Sequence, residues 1–573
     1  MSNSYPVALC ALSSQYLHIT PAPYALLAGV RAFCTQPVDC RVVQGTVNEP
    51  VQAVADRIAA AAPRLVGLSC YIWNISRVTE LLPLLRQRLP DAYILLGGPE
   101  VTSHSAARLA ELPDADGILC GEGEWAFAAL CDALAAGEDP ATIDSLTFRL
   151  PDGTIREGTP CVSAQDPPSL CIPEYLSAAR DRIAYLETGR GCPYRCAFCL
   201  SGQCGTARWF DLERAKADLL ALAAARPRVL KLVDRTFNAH RKRAEDLLRF
   251  ILQEQGRGIP QGLCIHFEVA ADLLSDEMIA LLAEMPAGAV QLEVGLQSFS
   301  EATLAAVRRR TDLRTVVRRV QQVLALGTVH LHLDLIAGLP YEDLQTFLDG
   351  FHRAFALRPH MLQLGFLKLL PGAAMREEPA LYPCRFRQDA PYEVIDTPWL
   401  SADDLEYLHR AESALDKLYN SGRFSHTLDY VLQASGLPPI EIFARVGTAA
   451  VGAGSLSLEE YTALVQRTFA ALPGVDADGL RDALVLDALA TRGDGRLPKC
   501  LYREDPLLRR AKIALEADPA TRSRKGVRRG VALLYGAGKT AYADYDAPRD
   551  PVTGEYPLNF APFPTETHCK TEK

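Results

Sequence analysis

The strongest constraint on the fold is a rhythm. Short β-rich runs alternate with amphipathic helical stretches twice along the chain, before and after a Pro-rich interruption at residues 151–181. In the first stretch the predicted strands are 7–12, 40–43, 65–70, 93–96 and 117–120. Such alternation predicts a parallel sheet covered by helices on both faces. The runs LVGLSC and YILLGG are almost wholly apolar until they break, as parallel strands buried on both faces should be. Ligands of these sheets sit beyond the carboxyl ends of the strands. That edge carries residues 10–13, 69–74, 97–100 and 121–124 (GEGE). After the interruption, predicted strands at 183–188, 229–233, 264–268, 290–294, 330–336 and 361–366 alternate with helices again. Six such units predict a partial (β/α)6 barrel with its site at the strand C-termini. Beyond Pro371 the β-rich runs stop, and 401–517 reads as helices with polar faces. The last stretch is rich in Gly, Pro, Asp and Tyr without a period. The expected organisation is an α/β chain with a doubly wound domain at 1–150, a linker at 151–181, a barrel at 182–372, a helical domain at 373–517 and an irregular tail at 518–573.

A length of 573 residues fits three or four domains at roughly 100–200 residues each. With 49% apolar and 23% charged residues, the composition is neither disordered nor fibrous. No window reaches the roughly 18–20 apolar residues of a membrane span, and residues 1–6 lack the basic and apolar segments of a signal peptide, so the expected compartment is the cytoplasm. The net charge is −9 and the one dense basic run is 522–529 (RSRKGVRR), so neither nucleic acid nor a membrane is the expected partner. Sixteen cysteines without an export signal are read as reduced thiols and not as a disulfide framework. Cys34, Cys131, Cys264 and Cys384 are isolated and read as small buried hydrophobes.

One group of cysteines clusters. Residues 187–202 read ETGRGCPYRCAFCLSG directly after a predicted strand, placing Cys192, Cys196 and Cys199 within eight residues. Three thiolates can hold three irons of a 4Fe-4S cube and leave the fourth iron open. A structural zinc site is the alternative, with Cys204 or a distant His as fourth ligand. The CxxxCxxC spacing, with Phe198 before the last Cys and a β/α barrel following, resembles the radical S-adenosylmethionine (SAM) signature. The resemblance implies that the open iron chelates SAM, and that electron transfer from the cluster splits a carbon–sulfur bond to give a 5′-deoxyadenosyl radical. It also implies SAM-facing residues at successive strand ends: Asp234 and Asn238 in DRTFN, Glu268, then Glu293, Gln297 and Ser298 in EVGLQS, followed by residues 308–310. Ile336 in DLIAGLP resembles the segment that packs on adenine, and KLLPG at 368–372 ends the sixth strand. Taken singly, each could equally be a capping or buried polar residue. His330, His332 and Asp334 alternate on one strand and should share a face, for which packing in the barrel interior is the simpler role. No general base is assigned.

The first domain, with VGLSCYIWN, LLGGPE and GEGE, resembles the flavodoxin-like cobalamin-binding domain of cobalamin-dependent radical SAM enzymes. With YNSGRF at 419–424 the resemblance covers about residues 5–500 and extends to the subgroup whose C-terminal helical domain has no assigned function. It implies that Ser69, Tyr71, Gly97, Gly98 and Glu122 face cobalamin. Where the best-known cobalamin signature has DxHxxG, this chain has LSSQYLHIT, so no axial histidine is expected. The implied function is cobalamin-dependent methyl transfer to an unactivated centre of a small molecule, with flavodoxin or ferredoxin as electron donor. Three alternatives remain: transfer of the 3-amino-3-carboxypropyl group, a methylthiotransferase whose second cluster would use Cys10, Cys70 and Cys120, and a non-enzymatic metal-binding scaffold or sensor. GAGKT at 536–540 lacks the first glycine of a P-loop and reads as a surface turn.

Overall fold

The computed structural model describes residues 4–150, 152–203 and 207–564. Cys204, considered above as a zinc ligand, and Pro151 lie outside them. The chain divides into two compact units. One comprises Met1–Met285, Ala305–Arg310 and Leu367–Ile395; the other comprises Pro286–Leu304, Thr311–Phe366 and Asp396–Lys573.

The first unit begins with a seven-stranded sheet made of β1 (Tyr5–Ser13), β2 (Val38–Thr46), β3 (Leu65–Ser69), β4 (Tyr93–Gly97), β5 (Gly117–Leu119), β6 (Leu146–Arg149) and β7 (Ile155–Arg156). The order is β2-β1-β3-β4-β5-β6-β7. The first five strands run parallel, as the apolar runs predict. Side chains alternate between the two faces. Leu9, Leu65, Leu95 and Phe127 pack on the face carrying helices Ala22–Phe33 and Gly123–Ala136. Cys10, Val66, Leu96, Ile58 and Leu81 pack on the face of Val51–Ala59 and Ile75–Arg88. Each fully buried Leu or Phe contributes about 1.5–3 kcal/mol. The sheet runs past residue 150, the expected domain end, because β6 and β7 add an antiparallel hairpin closed by the Leu150 amide donating to the Thr154 carbonyl at 2.8 Å. The surrounding prolines hid that pairing from the sequence pattern.

The same unit continues with β8 (Ile183–Leu186), β9 (Gly189–Arg190), β10 (Arg208–Trp209), β11 (Val229–Leu232) and β12 (Cys264–Val269). β8 and β12 flank β11 in parallel, while β9 and β10 form a short antiparallel pair. In the second unit, β13 (Val290–Gln297), β14 (Val329–Ala337) and β15 (Met361–Phe366) run parallel and adjacent. Their helices Leu313–Ala325 and Leu344–Ala356 start on the capping carboxylates of Asp312 and Asp343. The six β/α units of the central domain, with its parallel sheet, thus fall three to each unit. β16 (Arg385–Phe386) and β17 (Val394–Asp396) pair with each other.

The rest of the second unit is helical up to Pro506–Ala517, with capping boxes opening Ala402–Leu415 and Leu458–Ala470. The tail expected to be irregular differs: β18 (Gly530–Leu534), β19 (Lys539–Ala543) and β20 (Leu558–Pro562) form an antiparallel sheet. GAGKT spans the β18–β19 turn, where Asp482 accepts the amides of Tyr535 (2.8 Å) and Ala537 (3.0 Å). The chain's own carboxylate thus occupies the turn, and no phosphate-binding loop exists there. Among the described residues no helix is long and apolar enough to cross a membrane.

Candidate functional site

The cysteine loop is fastened before its first thiol. Asp234, at the end of β11, accepts the amides of Thr188 (2.7 Å) and Gly189 (3.0 Å) and the Thr188 hydroxyl. Burial pushes its carboxyl up to about 6, against those three donors. Gly191 then takes a positive φ of 89°, which an L side chain would resist. Thr236 Oγ1 lies 3.7 Å from Cys192 Sγ, and Arg309 Nη1 lies 3.6 Å from Cys196 Sγ. Ala197 donates its amide to the Val307 carbonyl and accepts that of Met375, each at 2.9 Å. Cys192 and Cys196 are buried; Cys199 and Phe198 are half-buried. Three soft donors on a backbone held from three sides suit an iron–sulfur cube with one open iron. The charged guanidinium beside Cys196 adds a donor to sulfur, which the sequence placed only within the run 308–310.

Asn238 has a different local task from the one the resemblance implies: its amide group donates to the Ala270 carbonyl (2.8 Å) and accepts the Ala270 amide (2.9 Å). Glu268 is half-buried on β12. In the second unit, Glu293 on β13 faces His332 on β14 in register. His332 Nδ1 is 3.7 Å from Glu293 Oε2, and its Nε2 is 2.9 Å from Asp334 Oδ1. Ile336 is half-buried further along β14. Gln297 sits at a register shift with φ 73°, its buried Oε1 without a hydrogen-bond partner among the described residues. Ser298 hydrogen-bonds Glu342, a buried carboxyl that the sequence reading missed, and burial raises Glu342 to about 7. An acid one residue past the GLPY turn was the available signal.

At the edge of the seven-stranded sheet, Asn74 ties the β1 and β3 ends together by donating to Leu12 O (3.1 Å) and Ser69 O (3.0 Å). The Tyr71 ring stacks on half-exposed Trp73 at 4.4 Å, giving a flat aromatic surface. A Cβ at Gly97 would only touch the Leu119 carbonyl oxygen at 3.7 Å, whereas Gly98 (φ 103°) is required by its neighbour: a Cβ there would stand 2.5 Å from the Cys70 carbonyl oxygen. Glu122 lies between Arg190 (3.2 Å) and Arg208 (3.0 Å). A glycine edge beside a stacked aromatic pair with one ring exposed suits a broad planar cofactor. In the loop after β1, His18 Nδ1 is bonded to Tyr185 Oη at 2.5 Å. Cys10 and Cys70 are buried in the core and pushed up to about 12 by that burial, and Cys120 Sγ rests 3.7 Å from the Thr147 hydroxyl. These are packing thiols, unlike the loop cysteines.

Residues 186–353 match the radical SAM superfamily, 25–131 match the B12 binding domain, and 380–524 match a protein family of unknown function, DUF4080. The chain thus carries a radical SAM domain preceded by a B12 binding domain. The chain is 28% identical to a 2-(S-pantetheinyl)-carbapenam-3-carboxylate methyltransferase of Streptantibioticus cattleyicolor over 60% of its length and 53% of that protein's. It is also 28% identical to the cobalamin-dependent radical SAM methyltransferase TokK of Streptomyces tokunonensis, over 57% and 50% respectively. It therefore spans about half the length of the curated relatives it matches. Among solved structures, TsrM from Kitasatospora setae with cobalamin and a [4Fe-4S] cluster superposes with a TM-score of 0.55 at 17% identity, covering 65% of this chain and 74% of that one. OxsB with aqua-cobalamin and SAM gives 0.58 at 13% identity, covering 84% and 78%. The radical SAM domain implies a 4Fe-4S cluster and SAM, and the B12 binding domain implies cobalamin.

Proposed function

We propose that the chain is a cobalamin-dependent radical SAM methyltransferase that acts on an unactivated centre of a small molecule. The observation that carries this reading is the joining, within one unit, of a three-thiol loop and a B12-binding sheet edge through Glu122, Arg190 and Arg208. When bound, cluster and cobalamin supply the electron for SAM cleavage and the carrier for the methyl group. Cys192, Cys196 and Cys199 hold the cluster. Arg309 offers its guanidinium beside Cys196, suited to the SAM carboxylate. Asp234 fixes the loop's entry, and the stacked Tyr71–Trp73 pair beside Gly97 offers cobalamin a flat edge. In the second unit we assign Glu293, Gln297, Ser298 and Ile336 to SAM. The substrate is a small molecule, the compartment the cytoplasm, and flavodoxin or ferredoxin the electron donor.

Anaerobic reconstitution should give the brown absorbance of a 4Fe-4S cluster, and Cys196→Ala should abolish it together with SAM cleavage. With SAM, cobalamin and a reductant, wild type should release 5′-deoxyadenosine and S-adenosylhomocysteine. Release of 5′-methylthioadenosine instead would replace methyl transfer with aminocarboxypropyl transfer. A Cys196→Ala protein that keeps its cluster would overturn the assignment of the loop.

A further inference from the structure

β9 and β10 pair at the base of the cysteine loop, and their register sets Arg190 directly opposite Arg208. Two like charges on facing positions repel, so this short ladder is unfavourable by itself. The carboxylate between them comes from the sheet domain: Glu122 Oε2 is 3.2 Å from Arg190 Nη1 and 3.0 Å from Arg208 Nη2. The other arm of Arg190 meets Glu124 Oε1 at 2.8 Å and Glu187 Oε2 at 2.7 Å. The side chains of Glu122 and Glu124 are only 12% and 6% exposed, so water screens these pairs little. Burial works against the charge on Arg190, but the carboxylates of Glu187 and Glu124 outweigh it and raise its pKa.

Both acids are themselves held. Glu122 is the N-cap residue of Gly123–Ala136 and Glu124 lies in its first turn, where the helix dipole favours negative charge. Gly121 before them has φ 85°, and a Cβ there would stand 2.2 Å from the Cys161 carbonyl oxygen. The segment around Cys161 is thus seated on the turn, with the Glu122 amide donating to that carbonyl at 2.8 Å. The turn at the end of β5 therefore presents the carboxylate that bridges Arg190 and Arg208.

We propose that Glu122, bridging Arg190 and Arg208, is a positioning residue that fixes the loop carrying Cys192, Cys196 and Cys199 against the carboxyl end of β5, and so couples SAM cleavage to methyl transfer. The coupling half rests on the function proposed above; the pinning half does not. Misplacing reacting partners by about 1 Å can cost on the order of a hundredfold in rate, so a loosened loop base should waste SAM cleavage.

The test uses the full chain reconstituted with cluster and cobalamin, comparing wild type with Glu122→Gln, which keeps the shape and removes the charge. Hydrogen exchange of peptides covering 186–192 and 118–124 should quicken together, by about tenfold for a lost contribution of roughly 1.4 kcal/mol. With SAM and titanium(III) citrate, the ratio of S-adenosylhomocysteine to 5′-deoxyadenosine per bound cluster should fall by about tenfold. Arg208→Gln, which leaves Glu122 its pair with Arg190, should move both readouts in the same direction by about threefold and serves if Glu122→Gln does not accumulate. Wild-type exchange in both segments overturns the pin, and a wild-type product ratio overturns the coupling. A wild-type protein that forms neither product overturns the proposed function and leaves the pin to be decided by exchange.

Discussion

Two buried glutamates, one in each unit, meet burial in opposite ways. Glu124 is 5% exposed and the one guanidinium of Arg190 meets both its oxygens, Nη2 at 2.8 Å and Nη1 at 3.3 Å. Glu342 is 1% exposed, hydrogen-bonded to the Ser298 hydroxyl, and its Oε2 has no partner among the described residues. Burial therefore raises Glu342 to about 7, with only the serine to oppose it. A carboxylate in low dielectric either finds a cation or keeps its proton. The first unit uses the charged solution to hold two segments together. The second holds a proton at the end of a β/α unit.

The largest expected effect breaks the charged side of this contrast. Arg190→Ala leaves Glu124 buried without its cation and should cost about 4 kcal/mol, since removing one partner of a buried pair strands the other. Chemical denaturation at pH 7.5 measures it, and the loss should change little between low and high salt because the pair is shielded from screening ions. A loss below about 1 kcal/mol would mean that Glu124 is solvated after all.

Glu342→Gln should act with the opposite sign. Below about pH 4 the carboxyl is protonated in both folded and unfolded chains, so it contributes no pH dependence. As pH rises through the unfolded value near 4.3, the unfolded chain ionises while Glu342 holds its proton, and stability falls until about pH 7, where it levels. Glutamine can accept from Ser298 and cannot ionise. The variant should match wild type at pH 4 and exceed it by roughly 3 kcal/mol at pH 8. Denaturation curves across that range check the sign, and parallel curves would sink the assignment of a raised value to Glu342.

What the sequence revealed follows the same division between local and distant causes. The cysteine loop was legible because three ligands within eight residues need no tertiary context. Strands β3 and β4 were legible because burial on both faces leaves uninterrupted apolar runs, LVGLS and YILLG. The hairpin β6–β7 and the tail sheet were not, since short antiparallel strands among Pro, Gly and Asp carry no run or period to detect. The GEGE turn reads in the sequence as a ligand edge alone, because the β9–β10 pairing that sets Arg190 opposite Arg208 lies far downstream of it. For Gly98 the resemblance implies a residue facing cobalamin, and the structure adds a neighbour, the Cys70 carbonyl, that requires glycine by itself. Arg309 and Glu342 were invisible as site groups because their meaning depends on burial and on a partner more than forty residues away.

The smallest effect concerns a fastening that uses no charge. Asn74 is 1% exposed and makes three hydrogen bonds: two from Nδ2 to the carbonyls of Leu12 and Ser69, and one to Oδ1 from the Tyr71 amide at 2.8 Å. In Asn74→Ala the Leu12 carbonyl keeps the Trp73 indole N–H at 3.2 Å, but the Ser69 carbonyl and the Tyr71 amide lose these bonds. The expected cost is about 2 kcal/mol, independent of salt and of pH between 5 and 9, because no ionisable group is involved. The stacked Tyr71–Trp73 pair should loosen with it, lowering the near-ultraviolet circular dichroism of the aromatic residues. Asn74→Asp should be worse at neutral pH, since a carboxylate would face two carbonyl oxygens and could satisfy only the amide. If the aspartate variant were instead as stable as wild type, the Asn74 side-chain nitrogen would not be donating to those carbonyls. The uncharged fastening of the sheet edge would then rest on the Trp73 indole alone.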